Sequence, residues 1–142
     1  MRFTIFTTAL LAGLASAGAL PPVERDISAA ETSKLTRRDW FDCAGSGMCG
    51  SAINFVRDCD IAVNTVLIRN NDYNYGAAGS GKYDGAQRGR CKIFIAGPRD
   101  CIRTGNQMWD DYQEIRRHGC ARCGSKHWGM DNACRTTVNY VS

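Results

Sequence analysis

The sequence predicts a small α+β domain stapled by disulfides, and three observations carry that prediction. All eight cysteines of the 142-residue chain fall after residue 42. Two segments repeat apolar residues at helical spacing, and short alternating, β-branched segments lie between and after them. Helices and strands do not alternate regularly, which separates α+β from a doubly wound α/β fold. The length fits one ordinary domain and excludes a multidomain assembly.

Residues 1–17 read as a secretory signal peptide. Arg2 supplies the positive start, the run from Phe3 to Leu14 the apolar stretch, and Ala15-Ser16-Ala17 a small-residue cleavage site. Residues 18–38 are polar, free of cysteine and end in Thr36-Arg37-Arg38, a dibasic pair suited to processing proteases; they read as a removed pro-segment. The remaining domain, residues 39–142, keeps thirteen basic and eleven acidic side chains, net +2 against +4 for the whole chain. Net charge therefore argues little, and any electrostatic role depends on where the charges sit. The longest apolar run is the N-terminal one, so no later segment is expected to span a bilayer.

Eight cysteines on an oxidising export route imply four disulfides, Cys43, Cys49, Cys59, Cys91, Cys101, Cys120, Cys123 and Cys134 all taking part. About 105 connectivities are open to them, and spacing alone selects none.

Gly50-Ser51 offers a helix start, and Ile53, Val56, Cys59, Val63 and Val66 form an apolar stripe, predicting a helix over residues 52–68. Residues 70–89 are dense in Gly and Asn and carry Tyr73, Tyr75 and Tyr83, which predicts loops or a short irregular hairpin. A strand is expected over 90–96, with Cys91, Ile93 and Ile95 on one face and Arg90, Lys92 and Phe94 on the other. Gly97-Pro98 ends it, and residues 99–103 begin the return.

The second helix has the clearer signals. Thr104 is its N-cap, Met108, Trp109, Tyr112 and Ile115 its apolar stripe, and Asp110, Asp111 and Glu114 its outward face. Arg116, Arg117 and His118 suit the last turn, and Gly119 suits the residue after it. A final strand is expected over 136–141.

Cys120-Ala121-Arg122-Cys123 has the spacing of a redox or zinc motif, but it follows a helix and lacks a second half-site. It reads as two structural half-cystines, and neither metal nor cofactor is expected. Glu114, His118 and His127 contain the residue types a secreted ribonuclease uses as acid and base, yet Glu114 and His118 also have the spacing of a surface ion pair. No enzyme is expected. The three tyrosines would suit stacking on a sugar or a base.

More informative is a run of 22 residues holding Lys82, Arg88, Arg90, Lys92, Arg99 and Arg103 against only Asp84 and Asp100. Such a polarised protuberance suits an acidic partner: a channel mouth, a layer of head groups or nucleic acid.

Three motifs carry a family resemblance. The run from His118-Gly119-Cys120-Ala121-Arg122-Cys123 to Gly124-Ser125, the later Thr137-Val138-Asn139-Tyr140-Val141, and the opening Cys43-Ala44-Gly45-Ser46-Gly47-Met48-Cys49 resemble the virally encoded killer toxins of a smut fungus and their relatives. The resemblance covers residues 39–142. It implies an α/β sandwich in which an antiparallel sheet carries two antiparallel helices on one face, with a basic protrusion. It also implies a secreted, extracellular, antifungal protein or effector that slows growth by blocking calcium uptake through calcium channels, relieved by excess calcium.

The chain departs from that family in three places. Trp109 stands where the family has a cysteine, and Val141-Ser142 ends the chain where it has another. The family's functional lysine aligns with Gly89, flanked here by Arg88 and Arg90 with Lys92 just beyond. Arg88, Arg90 and Lys92, supported by Lys82, are therefore the expected target-binding residues. The bridges the resemblance implies are Cys43–Cys120, Cys49–Cys123, Cys59–Cys134 and Cys91–Cys101. The expected partner is a cell-surface target on a competing fungus or a host plant. No nucleic acid, no membrane insertion and a monomer are expected. A ribonuclease-like enzyme and a carbohydrate-binding effector of cell walls are the alternatives.

Overall fold

Alternating side chains in the second half of the domain build an antiparallel sheet, and the computed structural model describes it within residues 39–142. The expected signal peptide and pro-segment lie outside the described residues. The elements are β1 (Trp40–Asp42), α1 (Met48–Ser51), α2 (Phe55–Ile61), β2 (Asn74–Gly76), β3 (Ala86–Arg88), β4 (Cys91–Ala96), β5 (Ile102–Thr104), α3 (Gly105–Arg117), β6 (Gly124–Trp128) and β7 (Cys134–Tyr140). A wide helical turn, Ala62–Val66, continues α2, and a tight one, Met130–Asn132, precedes β7. Five strands pair in the order β1-β6-β7-β4-β3, every pair antiparallel, and β2 pairs with β5 in a separate ribbon. The α+β class stands.

Register divides the large sheet into two unlike faces, because paired residues share a face and neighbours along a strand do not. Ala86 opposite Ile93, and Ile93 opposite Val138, lie on the covered face, where all three are buried under α2 and α3. Asp42, Ser125 and Thr137 form a row across the other, open face, and Trp40, His127 and Arg135 form the next.

The second helix follows its sequence signals. Thr104 accepts from Gln107 N, and the Gln107 side chain accepts from Thr104 N, closing a capping box. Met108, Tyr112 and Ile115 are buried, and Gly119 takes a positive φ of 99° after the helix. Gly105 is fixed by close approach: a Cβ there would lie 1.8 Å from the Ile68 carbonyl oxygen.

The first helix differs from its expected form. Ala52 is extended and Asn54 left-handed (φ 62°), so α1 and α2 are separate and the single helix over 52–68 does not form. Starting at Phe55 rotates the buried stripe to Phe55, Cys59, Ala62 and Val63, leaving Ile53 and Val56 outside. The β-branched run then widens the last turn. Leu67 N donates to Ala62 O, five residues back, which sends Leu67 rather than Val66 inward.

Two bridges match the implied pairing and two correct it. Cys43–Cys120 and Cys49–Cys123 form, but Cys59 bonds Cys91 and Cys101 bonds Cys134. The reason is packing. α2 lies over β4, bringing Cys59 and Cys91 to a Cα separation of 5.1 Å, while Cys101 follows the end of β4 beside the start of β7, 5.5 Å from Cys134. The return after Gly97-Pro98 also differs, since β5 pairs with β2 rather than with β4. Two strands, β1 and β6, carried no sequence signal. Both are mixed in polarity, and Lys126 on the covered face breaks the usual alternation.

Candidate functional site

The basic residues singled out in the sequence occupy the β3–β4 hairpin. Arg88 pairs with Cys91, leaving Gly89-Arg90 as a two-residue loop whose first position takes φ 51°. The tip is braced from α2. Asp58 accepts from Arg90 N at 3.3 Å, Cys59 bonds Cys91, and a Cβ on Gly89 would meet the Asp58 carboxylate at 2.3 Å. Arg90 Nη1 also donates to the Tyr140 hydroxyl at 2.7 Å. Arg88, Arg90 and Lys82 are exposed.

Lys92 differs. It pairs with Gln87 on the open face, whereas Arg88 shares the covered-face side with Cys91, so the two cations straddle the sheet. Lys92 Nζ also meets Asp84 at 2.5 Å, which offsets its charge. Lys82 precedes the hairpin, next to the bridge between Tyr75 and Tyr83. The structure thus brings Arg88 and Arg90 together at one tip and sets Lys92 and Lys82 apart from it.

The residues of the alternative readings are also separated. Glu114 Oε2 binds Lys126 at 2.6 Å on the covered face, and His118 stacks on Phe41. His127 lies on the open face, its Nε2 2.6 Å from Asp42 Oδ2. The sheet stands between Glu114 and His127, so they do not act on one atom. Tyr73 stacks on Tyr83 at 3.9 Å, and Tyr75 is buried with its hydroxyl accepting from Ile68 N at 2.9 Å. Each ring face so used is unavailable to a sugar. Cys120 and Cys123 belong to separate bridges, not to one redox pair. Among the described residues, no group of three His, Cys, Asp or Glu side chains is arranged to hold a metal ion.

Two features carried no sequence signal. On the open face, Asp42, Ser125, Thr137, Asn139 and Arg135 line a cleft of about 230 Å³ beside Phe94. Ser125 and Thr137 bond each other at 3.2 Å, and Asp42 is held by Ala44 N and His127, so much of its polar lining is mutually satisfied.

Under α3 lies a charge cluster. Lys126 Nζ meets Asp111 at 2.9 Å, Glu114 at 2.6 Å and Asp39 at 3.0 Å. Asp111, expected on the outward face of its helix, is buried, and it also takes the Thr136 hydroxyl at 2.5 Å and faces Arg103 at 3.1 Å. Burial by itself would lower the Lys126 pKa, but the hydrogen bonds its ammonium donates to Glu114, Asp111 and Asp39 outweigh it and raise the pKa above 10.5. The amine stays charged and is structural. Tyr112 is pushed up to about 12, chiefly by burial and then by its bond to Asp60.

A small α+β domain with four disulfides, one of which braces an arginine-tipped hairpin, is the class of protein these features define. Four bridges, with no helix among the described residues long and apolar enough to cross a membrane, are compatible with an extracellular protein. Residues 41–142 match the meiotically up-regulated gene family, MU117, and the chain belongs to that family. No curated protein matches the chain.

Proposed function

We propose that the protein is a secreted, killer-toxin-like effector or antifungal protein that binds a target on a competing fungal or host plant cell, and that it acts by binding rather than by catalysis. The observation that carries this reading is the hairpin tip. Two exposed guanidinium groups flank Gly89 on a turn fixed by a disulfide at its base and by the Asp58 carboxylate beneath it. A pre-ordered basic tip loses little entropy on meeting a carboxylate-lined surface. At the mouth of a calcium channel it would compete with the cation for those carboxylates, slowing calcium uptake.

The test is growth of a panel of fungal and plant cells exposed to the secreted protein, with and without added calcium. Inhibition relieved by calcium supports channel block, and inhibition indifferent to calcium removes the channel. Arg88→Glu combined with Arg90→Glu should abolish inhibition while all four bridges still form; unchanged potency would remove the tip from the mechanism.

A further inference from the structure

Three large apolar side chains between the start of α1 and the first turn of α2 stand in water: Ile53 is 86% exposed, Met48 49% and Val56 37%. Leaving them there forgoes the gain from burial, so the patch calls for an occupant. The turn between α1 and α2 is firmly held. Cys43–Cys120 and Cys49–Cys123 fix the chain before it, Ala52 N donates to Met48 O at 3.0 Å, and Asn54 reverses the backbone in a left-handed conformation. That reversal sends Phe55 into the core and leaves Ile53 outside.

The shallow depression beside Ile53 and Val56, of about 350 Å³, is lined by two cations, Arg57 and Arg122, and no carboxylate. Arg122 is anchored by its bond to Cys49 O at 2.8 Å. Asp60, one turn further along α2, accepts from the Tyr112 hydroxyl. No carboxylate occurs in the sequence from Cys43 to Arg57. The first acid after it, Asp58, is turned to the hairpin, where it accepts from Arg90 N and so sets the arginine tip alongside.

We propose that this end of the molecule docks on an anionic lipid bilayer. Met48, Ile53 and Val56 enter the boundary between head groups and acyl chains, and Arg57 and Arg122 lie at head-group level. Apolar tips inside a cationic rim are the arrangement that binds such a surface without spanning it. A second copy fits less well, since a two-fold contact would set this arginine rim against itself. The surface adjoins the hairpin but uses other residues, so its failure would leave the target-binding reading standing.

The experiment is sedimentation of the full secreted protein with phosphatidylcholine vesicles and with vesicles of mixed phosphatidylcholine and phosphatidylserine. Binding is expected to the anionic vesicles only and to weaken with salt. Ile53→Ser should lower the partition by about tenfold, and Arg57→Gln by about fivefold, each with the bridges intact by peptide mapping. Equal binding to both vesicle types, no binding, or an Ile53→Ser variant that binds like the parent would overturn the proposal. So would a dimer abolished by Ile53→Ser without vesicle binding, which would assign the patch to a second copy. Growth inhibition that persists without vesicle binding would separate this failure from that of the hairpin.

Discussion

Two regions of this domain invert the usual distribution of side chains. Beneath α3, Lys126 and Asp111 are only 6% and 2% exposed, while on the turn before α2 the aliphatic Ile53 is 86% exposed. The buried charges satisfy one another. Lys126 has three carboxylate partners, and Asp111 has an ammonium, a hydroxyl and a guanidinium. The exposed aliphatics have no such compensation, and covalent staples hold the backbone that displays them. Pairing decides what a small core can take in, and cross-linking decides what it can leave out.

The largest effects are expected at the staple and beneath α3. Cys49→Ala with Cys123→Ala opens a link between residues 74 apart, but Cys43–Cys120 already closes most of that separation. By the chain-entropy argument, losing the remaining loop of about ten residues should cost about 3 kcal/mol. Denaturant unfolding measures it, and a small loss would mean that the turn is held by packing instead. Lys126→Met follows, also at about 3 kcal/mol, because it leaves Asp111 buried with Arg103 as its remaining cation. Adding Asp111→Leu should recover most of that loss; a double variant as unstable as the single one would show that the cluster is not a charge-pairing unit.

Tyr112→Phe should cost about 1 kcal/mol at neutral pH, through its lost bond to Asp60. It also sharpens the pH behaviour of the charged side. Tyr112 and Lys126 both hold their protons more firmly in the folded state, so their contribution is complete below the ordinary values of 10.0 and 10.5 and is lost as pH rises through the folded ones. An alkaline loss of stability is expected from about pH 10, and Tyr112→Phe should make its onset shallower in thermal scans across that range. The smallest effect falls on the exposed side: Ile53→Ser should change stability by no more than about 0.5 kcal/mol. A larger loss would mean that Ile53 is covered within the folded chain.

The hairpin tip was partly legible in the sequence. Arg88, Gly89 and Arg90 sit before an alternating strand, and glycine between two cations marks a turn. That Lys92 falls on the opposite side of the sheet from Arg88 depends on the pairing of Arg88 with Cys91, a register that residue types alone do not set. Asp111 illustrates the same gap. Its place on α3 follows from the helical period, but its burial requires Lys126, fifteen positions later on a strand without a usable pattern.

By itself, the sequence determined the α+β class, the capped helix beginning after Thr104, the inward face of Cys91, Ile93 and Ile95, and four disulfides. Each rests on local propensity, period or parity, which act over a few residues. Only the tertiary structure decided which cysteine meets which, where α2 begins, which charges enter the core and which aliphatics leave it. Those outcomes are contacts between residues far apart in the chain. Cys59 finds Cys91 because α2 crosses β4, and Ile53 stays outside because Asn54 turns Phe55 inward first.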